Sequence, residues 1–129
     1  MNILLDTNAL IWCLADPDRL GLAALNLLAN PANQVYVSAA SGWEIAIKVD
    51  LGKITVPPNL REWLPEALER SRLTPLPISL SHALGVENLP PHHRDPFDRL
   101  LVAQAVADRL TILTSDEVVG RYDVPLIRY

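Results

Sequence analysis

Ile3-Leu4-Leu5-Asp6-Thr7-Asn8 is the stretch of sequence that decides the fold. Its three apolar residues predict a short buried strand, and the polar residues after them predict a helix from Thr7 to about Ala15. An acidic side chain at the end of a buried strand is costly unless its charge is compensated. The start of the chain therefore predicts a strand-to-helix unit with a carboxylate, Asp6, at its junction.

The same kind of unit recurs along the chain. Strands are predicted over 34–38, 110–113 and 124–127, with a short extended piece near 75–78. Helices are predicted over 18–29, 41–51, 60–68, 81–86 and 96–109. Alternating strands and helices with short connections favour an α/β protein whose parallel sheet carries helices on both faces. At 129 residues the chain has the length of a single domain, so we predict one domain over residues 1–129.

Local signals predict where several helices begin. Asp18 suits the N-cap of the second helix, and Ser115 suits the cap of a short helix near the C-terminus. Ser41 and Glu44 have the Ser-x-x-Glu spacing of a capping box. Asp95, directly before a proline, is well suited to start the helix over 96–109.

Four acidic residues fall at predicted strand-to-helix junctions: Asp6, Glu44, Asp98 and Asp116. Such junctions share the carboxyl edge of a parallel sheet, where open α/β proteins bind ligands. Carboxylates crowded there repel one another or hold protons, and a divalent cation resolves that conflict. Mg²⁺ and Mn²⁺ prefer hard oxygen ligands and keep several waters. The pattern therefore favours a metal-dependent enzyme that hydrolyses phosphodiesters.

Each acid also has a structural explanation, because acidic side chains are common at helix N-termini. Glu44 could complete the capping box or pair with Lys48 one turn later. Asp95 could serve either as the N-cap of its helix or as a participant in the site. Thr7 and Asn8 are short polar residues that could orient water or substrate.

The three histidines do not have the spacing of a zinc site. His92 and His93 are adjacent, His82 is distant, and no cysteine accompanies them. We therefore expect ordinary loop histidines, with His93 able to shape the rim of the site.

The three tryptophans, Trp12, Trp43 and Trp63, fall on predicted apolar faces and are expected in the core. The alternative is that one of them belongs to a partner groove.

The charge balance limits the ways in which the protein could hold nucleic acid. The net charge is −4, from 11 basic and 15 acidic residues, which argues against a large basic binding surface. A single cysteine excludes an internal disulfide framework and suits a reducing cytosol. The first residues lack the pattern of a signal peptide, and no apolar run approaches the roughly 20 residues that span a bilayer. We expect a cytoplasmic protein without a membrane segment.

Several segments together resemble a known family. They are Leu5-Asp6-Thr7-Asn8, Ser41-Gly42-Trp43-Glu44-Ile45-Ala46-Ile47-Lys48, Asp95-Pro96-Phe97-Asp98-Arg99-Leu100-Leu101 with Ala103-Gln104-Ala105, and Leu113-Thr114-Ser115-Asp116. In this order they resemble a PIN domain, and more narrowly the VapC type, the toxin half of bacterial and archaeal toxin–antitoxin pairs. The resemblance covers the whole chain, and the segment that begins at Asp95 is its most specific part.

The resemblance implies a three-layer α/β/α sandwich with four to five parallel strands that binds Mg²⁺ or Mn²⁺ and cleaves RNA. It places the acidic quartet on Asp6, Glu44, Asp98 and Asp116, with water activated by metal as the nucleophile. It also implies a cognate antitoxin protein. The apolar helices up to Leu28 would suit a homodimer or an antitoxin segment laid into a groove, and core burial alone could also explain them.

Supporting residues are expected around that quartet. Lys48, Arg94 and Arg99 are candidate phosphate contacts, although such side chains are often only solvated charges. Ser115 lies beside the last acid. Glu117 follows where many family members carry a second acid or an Asn shortly after the first, and its contribution stays open.

Three other functions fit less well. An acidic-site phosphatase would need a second Asp two residues after the first, where this chain has Asn8. A phospho-acceptor receiver domain would need adjacent acids near the first strand and a late lysine, whereas no lysine follows Lys53. A PIN-like module that only binds partners is disfavoured because all four acids are present.

Overall fold

The computed structural model describes residues 1–129 and contains one sheet of five parallel strands. The strands are β1 (Asn2–Leu5), β2 (Gln34–Ser38), β3 (Thr74–Leu76), β4 (Thr111–Thr114) and β5 (Leu126–Arg128). Their order across the sheet is β3-β2-β1-β4-β5. All four neighbouring pairs are parallel, with Leu4 of β1 in register with Tyr36 of β2 and Ile112 of β4. The predicted parallel α/β architecture is confirmed, and the sheet has five strands where four to five were predicted.

Six α-helices connect the strands: α1 (Thr7–Ala15), α2 (Gly21–Ala29), α3 (Ala39–Asp50), α4 (Leu60–Arg70), α5 (Leu80–Gly85) and α6 (Pro96–Asp108). Three short 3-10 turns lie at Pro17–Leu20, Val86–Asn88 and Glu117–Arg121. No helix is both long enough and apolar enough to cross a membrane.

The sheet separates two apolar cores because successive strand residues point to opposite faces. Ile3 and Leu5 of β1 belong to the core formed with α1, α2 and α4, and Leu4 belongs to the core formed with α6. Three of the four β1 residues are fully buried. The near-continuous apolar strands of the sequence are thus explained by helices on both faces.

The direction of the strand order changes beside β1. From β1 the chain proceeds outward through β2 and β3 on one side, and then returns to place β4 and β5 on the other. Such a reversal leaves a crevice at the carboxyl ends of the two strands beside it, β1 and β4. The backbone N–H of Asp6 donates to the carbonyl oxygen of Leu113 at 3.1 Å, so the ends of β1 and β4 remain joined at this crevice.

Two predicted caps of the first half were wrong. Asp18 does not cap a long second helix, because it lies within the 3-10 turn Pro17–Leu20. Helix α2 begins only at Gly21, whose φ is +80°. Helix α3 begins at Ala39 with Ser38 as its N-cap, so Ser41 and Glu44 do not form a capping box. Ser41 is instead buried within the helix, and Glu44 lies beyond the first turn, where capping cannot explain it.

Two further local predictions are settled by side-chain contacts. The 3-10 turn after β4 is capped by Asp116, whose Oδ1 accepts from the backbone N–H of Val118 at 2.9 Å, and not by Ser115. Asp95 is the N-cap of α6 as predicted, accepting from Phe97 N at 2.8 Å.

The tryptophans are less buried than expected. Trp43 is 61% exposed, which contradicts its predicted place in the core, and its ring edge packs against Phe97. Trp12 and Trp63 are partly buried. Trp43 fails the expectation because the buried face of α3 is formed by Ala40, Ser41 and Ile45.

Ser38 links the sheet to two helices. Its hydroxyl accepts from Ala40 N as the cap of α3 and donates to Oε1 of the fully buried Gln104 in α6. We expect Ser38→Ala to lower the free energy of unfolding by roughly 2–4 kcal/mol, because it removes a cap and leaves a buried acceptor without a donor. Urea unfolding measures this loss. Ser71→Ala, at an exposed helix end, should change stability by less than about 0.5 kcal/mol, and equal effects of the two changes would refute the role of Ser38.

Candidate metal centre

A polar cavity of about 170 Å³ opens at the carboxyl edge of β1 and β4. None of its nine lining residues is hydrophobic; they are Asp6, Thr7, Asn8, Glu44, Lys48, Asp95, Asp98, Ser115 and Asp116. All four acids of the predicted quartet therefore converge, although they are separated by up to 110 positions (116 − 6) in the sequence. The cavity holds five carboxylates and a single ammonium group.

Asp6 sits deepest in this cavity. It is only 7% exposed, and its Oδ1 accepts from Ala9 N at 2.7 Å as the N-cap of α1. Burial raises the pKa of Asp6 above its ordinary value, hydrogen bonds from Thr114 and Ala9 lower it, and the charge of Asp116 raises it. The cap accounts for one oxygen of Asp6 and leaves its buried charge uncompensated.

Glu44 is held by two neighbours, one of which is supported by a third residue. Its Oε1 lies 2.7 Å from Thr7 Oγ1, and its Oε2 lies 2.8 Å from Lys48 Nζ. Ser41 Oγ lies 3.0 Å from Thr7 Oγ1. Because a carboxylate only accepts, Thr7 donates its proton to Glu44 and accepts from Ser41. Of the two structural explanations predicted for Glu44, the ion pair with Lys48 is present and the capping box is absent.

Asp98 and Asp95 approach the cavity from the first turn of α6. Burial, together with the neighbouring charges of Asp95, Glu44 and Asp116, raises the pKa of Asp98 to about 6, against a lowering by His93. Asp95 caps α6 and lines the cavity, so the two roles left open for it coexist in the structure.

Asp116 has a different environment. Its Oδ2 lies 2.8 Å from His93 Nε2, and its Oδ1 accepts from Val118 N. Burial raises the pKa of Asp116, but the hydrogen bonds from His93 and Val118 outweigh that effect and leave the pKa below its usual value. Asp116 is therefore ionised while Asp98, across the cavity, holds its proton more tightly.

Some predicted site residues lie elsewhere. Arg99 does not line the cavity; its guanidinium donates to the carbonyl oxygens of Pro90, Val86 and Leu89 at 2.8, 3.0 and 3.3 Å. Arg99 therefore holds the loop before α6, and its contact with phosphate stays a prediction. Arg94 and Glu117 are exposed and also lie outside the lining.

His93 is the residue whose importance the sequence did not reveal. Its side chain is 7% exposed, and Nε2 forms a close group with carboxylate oxygens of Asp98 and Asp116, all within 4.8 Å of one another. His93 is thus not an ordinary loop histidine. The only signal in the sequence was its position two residues before Asp95, since neither spacing nor composition distinguishes it from His92.

The donor set suits a hard divalent cation. Oxygen donors from four separate segments surround the cavity, and one ammonium group opposes five carboxylates. Burial raises the pKa values of Asp6 and Asp98, and repulsion from neighbouring carboxylates acts in the same direction. Carboxylates without cysteine are typical of Mg²⁺ or Mn²⁺ sites and not of structural zinc sites.

A family profile described as "PIN domain" matches residues 3–125. The chain belongs to the PIN domain family.

Two curated proteins are similar to this PIN domain. Ribonuclease VapC22 of Mycobacterium tuberculosis is 29% identical over 115 residues, which span 89% of this chain and 87% of that protein. Ribonuclease VapC16 of the same organism is 38% identical over 50 residues, which span 39% of this chain and 36% of that protein.

Solved structures share the fold of this PIN domain. A chain from the crystal structure of VapBC2 from Rickettsia felis bound to a promoter DNA fragment superposes with a TM-score of 0.74 at 19% identity. That match covers 100% of this chain and 99% of the other. A chain of FitAcB from Neisseria gonorrhoeae gives a TM-score of 0.67 at 24% identity, with 97% and 96% covered.

The raised pKa of Asp98 makes the stability of this PIN domain depend on pH. Folded Asp98 binds its proton more tightly than the unfolded chain does, so stability falls as the pH rises from about 4 through about 6. We expect Asp98→Asn to stabilise the metal-free protein at pH 7.5 by roughly 1–2 kcal/mol after allowance for solvent screening. The gain should vanish below about pH 4.

Thermal unfolding in EDTA at the two pH values measures this difference. At pH 7.5 the gain corresponds to a rise of roughly 3–8 °C in Tm for a chain of this length. Glu66→Gln, an exposed change on α4, provides the control and should have no comparable effect. An Asp98→Asn protein no more stable than the wild type at pH 7.5 would contradict the proposed charge crowding.

Proposed function

We propose that this chain is a metal-dependent endoribonuclease, and that it is the toxin of a type II toxin–antitoxin system. The observation that carries the proposal is the convergence of five carboxylates and one ammonium group at the reversal of strand order. Membership of the PIN domain family and the ribonuclease names of its relatives support the same reading.

Asp6, Asp98 and Asp116 would hold the cation, and Glu44 would join through water. A bound Mg²⁺ or Mn²⁺ lowers the pKa of its water and stabilises negative charge on a phosphate. Of the two cations we favour neither, since both prefer the same oxygen donors.

The protein's own groups would organise the reaction around those acids. Thr7 and Lys48 each contact one oxygen of Glu44, which keeps that carboxylate oriented to accept a proton from water. Lys48 is the only cationic side chain in the lining and is one-third exposed, so it can move toward a phosphate oxygen of RNA. Asn8 and Ser115, at the exposed rim, would contact the flanking nucleotide or water.

An apolar groove supports the proposal of an antitoxin partner. It has a volume of about 280 Å³ and is lined by Ile11, Leu14, Ala15, Ile45, Ile54, Thr55, Val56, Pro57, Trp63 and Leu64. Eight of these residues are hydrophobic, as expected for a groove that receives the apolar face of a helix. We assign this groove to the antitoxin.

A separate apolar stripe supports the proposal of a homodimer. Trp43 and Ile47 of α3 and Leu51, its C-cap residue, lie four positions apart and are 61%, 37% and 61% exposed. Ile45, which lines the groove, lies on the opposite side of the same helix. We assign the stripe to a second copy of the chain, and we place the protein in the cytoplasm, where RNA and a newly made antitoxin are available.

Asp6→Asn tests the nuclease proposal. The variant keeps the size of the side chain and removes the most buried charge, so Mn²⁺-dependent cleavage of RNA should fall by at least about 100-fold. Loss of a partner of a metal ligand alone costs about 10–100-fold. Cleavage of a fluorescent RNA with Mn²⁺, Mg²⁺ or EDTA gives the measurement. Asp18→Asn, an exposed acid far from the cavity, should cleave like the wild type. If the wild type cleaves no RNA with either cation, the chain is a binding module.

The two apolar surfaces can be separated by matched substitutions. Val56→Arg places a charge in the groove and should abolish co-purification with the product of an adjacent short reading frame, while the dimer persists. Leu51→Arg places the same charge on the stripe and should give a monomer that still binds that product. Sedimentation and co-purification measure both. Either variant behaving like the wild type would remove the partner assigned to its surface.

A further inference from the structure

Tyr122, His93 and Asp116 form a chain of hydrogen bonds that ends at the cavity. Tyr122 is 5% exposed and packs in the core beneath α6. Its hydroxyl oxygen lies 3.0 Å from His93 N and 3.1 Å from His93 Nδ1. On the other side of the imidazole, Nε2 lies 2.8 Å from Asp116 Oδ2, whereas Asp98 Oδ2 is 4.0 Å away.

The proton positions follow from the capacity of each group. The backbone N–H of His93 can only donate, so the Tyr122 oxygen accepts from it and its own proton is free for Nδ1. Asp116 binds a cation in its carboxylate form, which only accepts hydrogen bonds, so in that form two lone pairs would face each other over 2.8 Å if Nε2 carried no proton. Nε2 therefore carries a proton and donates it to Asp116, whichever group supplies the proton between Nδ1 and Tyr122.

A protonated Nε2 is a hydrogen-bond donor and not a metal ligand. His93 is nonetheless aimed at the cavity, and it holds one oxygen of Asp116 while Val118 N holds the other. Each carboxylate oxygen keeps a further lone pair. Rotation of the Asp116 carboxylate is thus blocked from both sides, and its free lone pairs keep one orientation.

We propose that His93 is a positioning residue that orients Asp116 for cation binding, with Tyr122 fixing the imidazole. The inference rests on the proposed metal-dependent function. It adds a residue from the loop before α6 to the site. It also gives a role to the three hydrogen bonds that Arg99 donates to carbonyl oxygens of that loop, since they hold the segment that carries His93 in place. Outer partners of this kind typically change metal affinity by about 10–100-fold.

Mn²⁺ binding by the whole chain tests the proposal without relying on cleavage. We expect His93→Ala to raise the Mn²⁺ dissociation constant, measured by calorimetry, by about 10–100-fold. His93→Gln keeps an N–H donor of similar reach and should recover most of that loss. Tyr122→Phe keeps the ring in the core and removes only the hydroxyl, so it should weaken binding to a smaller extent. His92→Ala, which changes the neighbouring exposed imidazole, should bind Mn²⁺ like the wild type.

A spectroscopic measurement separates positioning from ligation. Pulsed electron paramagnetic resonance of the Mn²⁺-loaded wild type should show no directly coordinated nitrogen, and a coordinated nitrogen lost in His93→Ala would overturn the proposal in favour of a ligand role. Unchanged Mn²⁺ affinity in a folded His93→Ala protein would overturn it while leaving the proposed function intact. A wild type that binds no Mn²⁺ would overturn both. Melting in EDTA establishes that each variant is folded.

Discussion

Repulsion among carboxylates at the carboxyl edge of β1 and β4 is the constraint on which the rest of the site depends. The sheet brings Asp6 and Asp116 to adjacent strand ends, and α3 and α6 add Glu44, Asp95 and Asp98. Burial raises the pKa values of Asp6 and Asp98, and the charges of neighbouring carboxylates, which one lysine cannot balance, raise them as well. Such crowding does not stabilise the fold, and a bound cation would offset the repulsion, which is why we propose a cation in this cavity.

The neighbours of the acids divide the carboxylates into distinct chemical states. Glu44 and Asp116 each receive donors on both oxygens, from Thr7 and Lys48 in one case and from His93 and Val118 in the other. Asp98 has no comparable donors and holds its proton up to about pH 6. Carboxylates whose environments separate their pKa values are typical of catalytic sites. The polar contacts around the cavity therefore matter as much as the acids themselves.

Much of the architecture could be predicted because strand and helix patterns are local. The apolar run before Asp6, the proline after Asp95 and the acids at the junctions are all legible in the sequence, and the structure confirms the parallel sheet. Errors arose where two local signals competed. Ser38 and Ser41 are both able to cap α3, and the buried bond from Ser38 to Gln104, 66 positions away, favours the earlier start. With Ala40, Ser41 and Ile45 of α3 buried, Trp43 faces solvent and Glu44 faces the cavity.

The sequence by itself determined which elements form and that Asp6, Asp98 and Asp116 stand where helices or turns begin, because hydrophobic period and junction chemistry depend on neighbouring residues. Only the tertiary structure decided which side chains share the cavity. Arg99 is close to Asp98 in sequence, yet its donors are taken by loop carbonyls, whereas His93 reaches Asp116 across 23 positions. Hydrogen-bond partners so far apart follow from the packing of the loop against Tyr122 and the core, and no local pattern of residues encodes that packing.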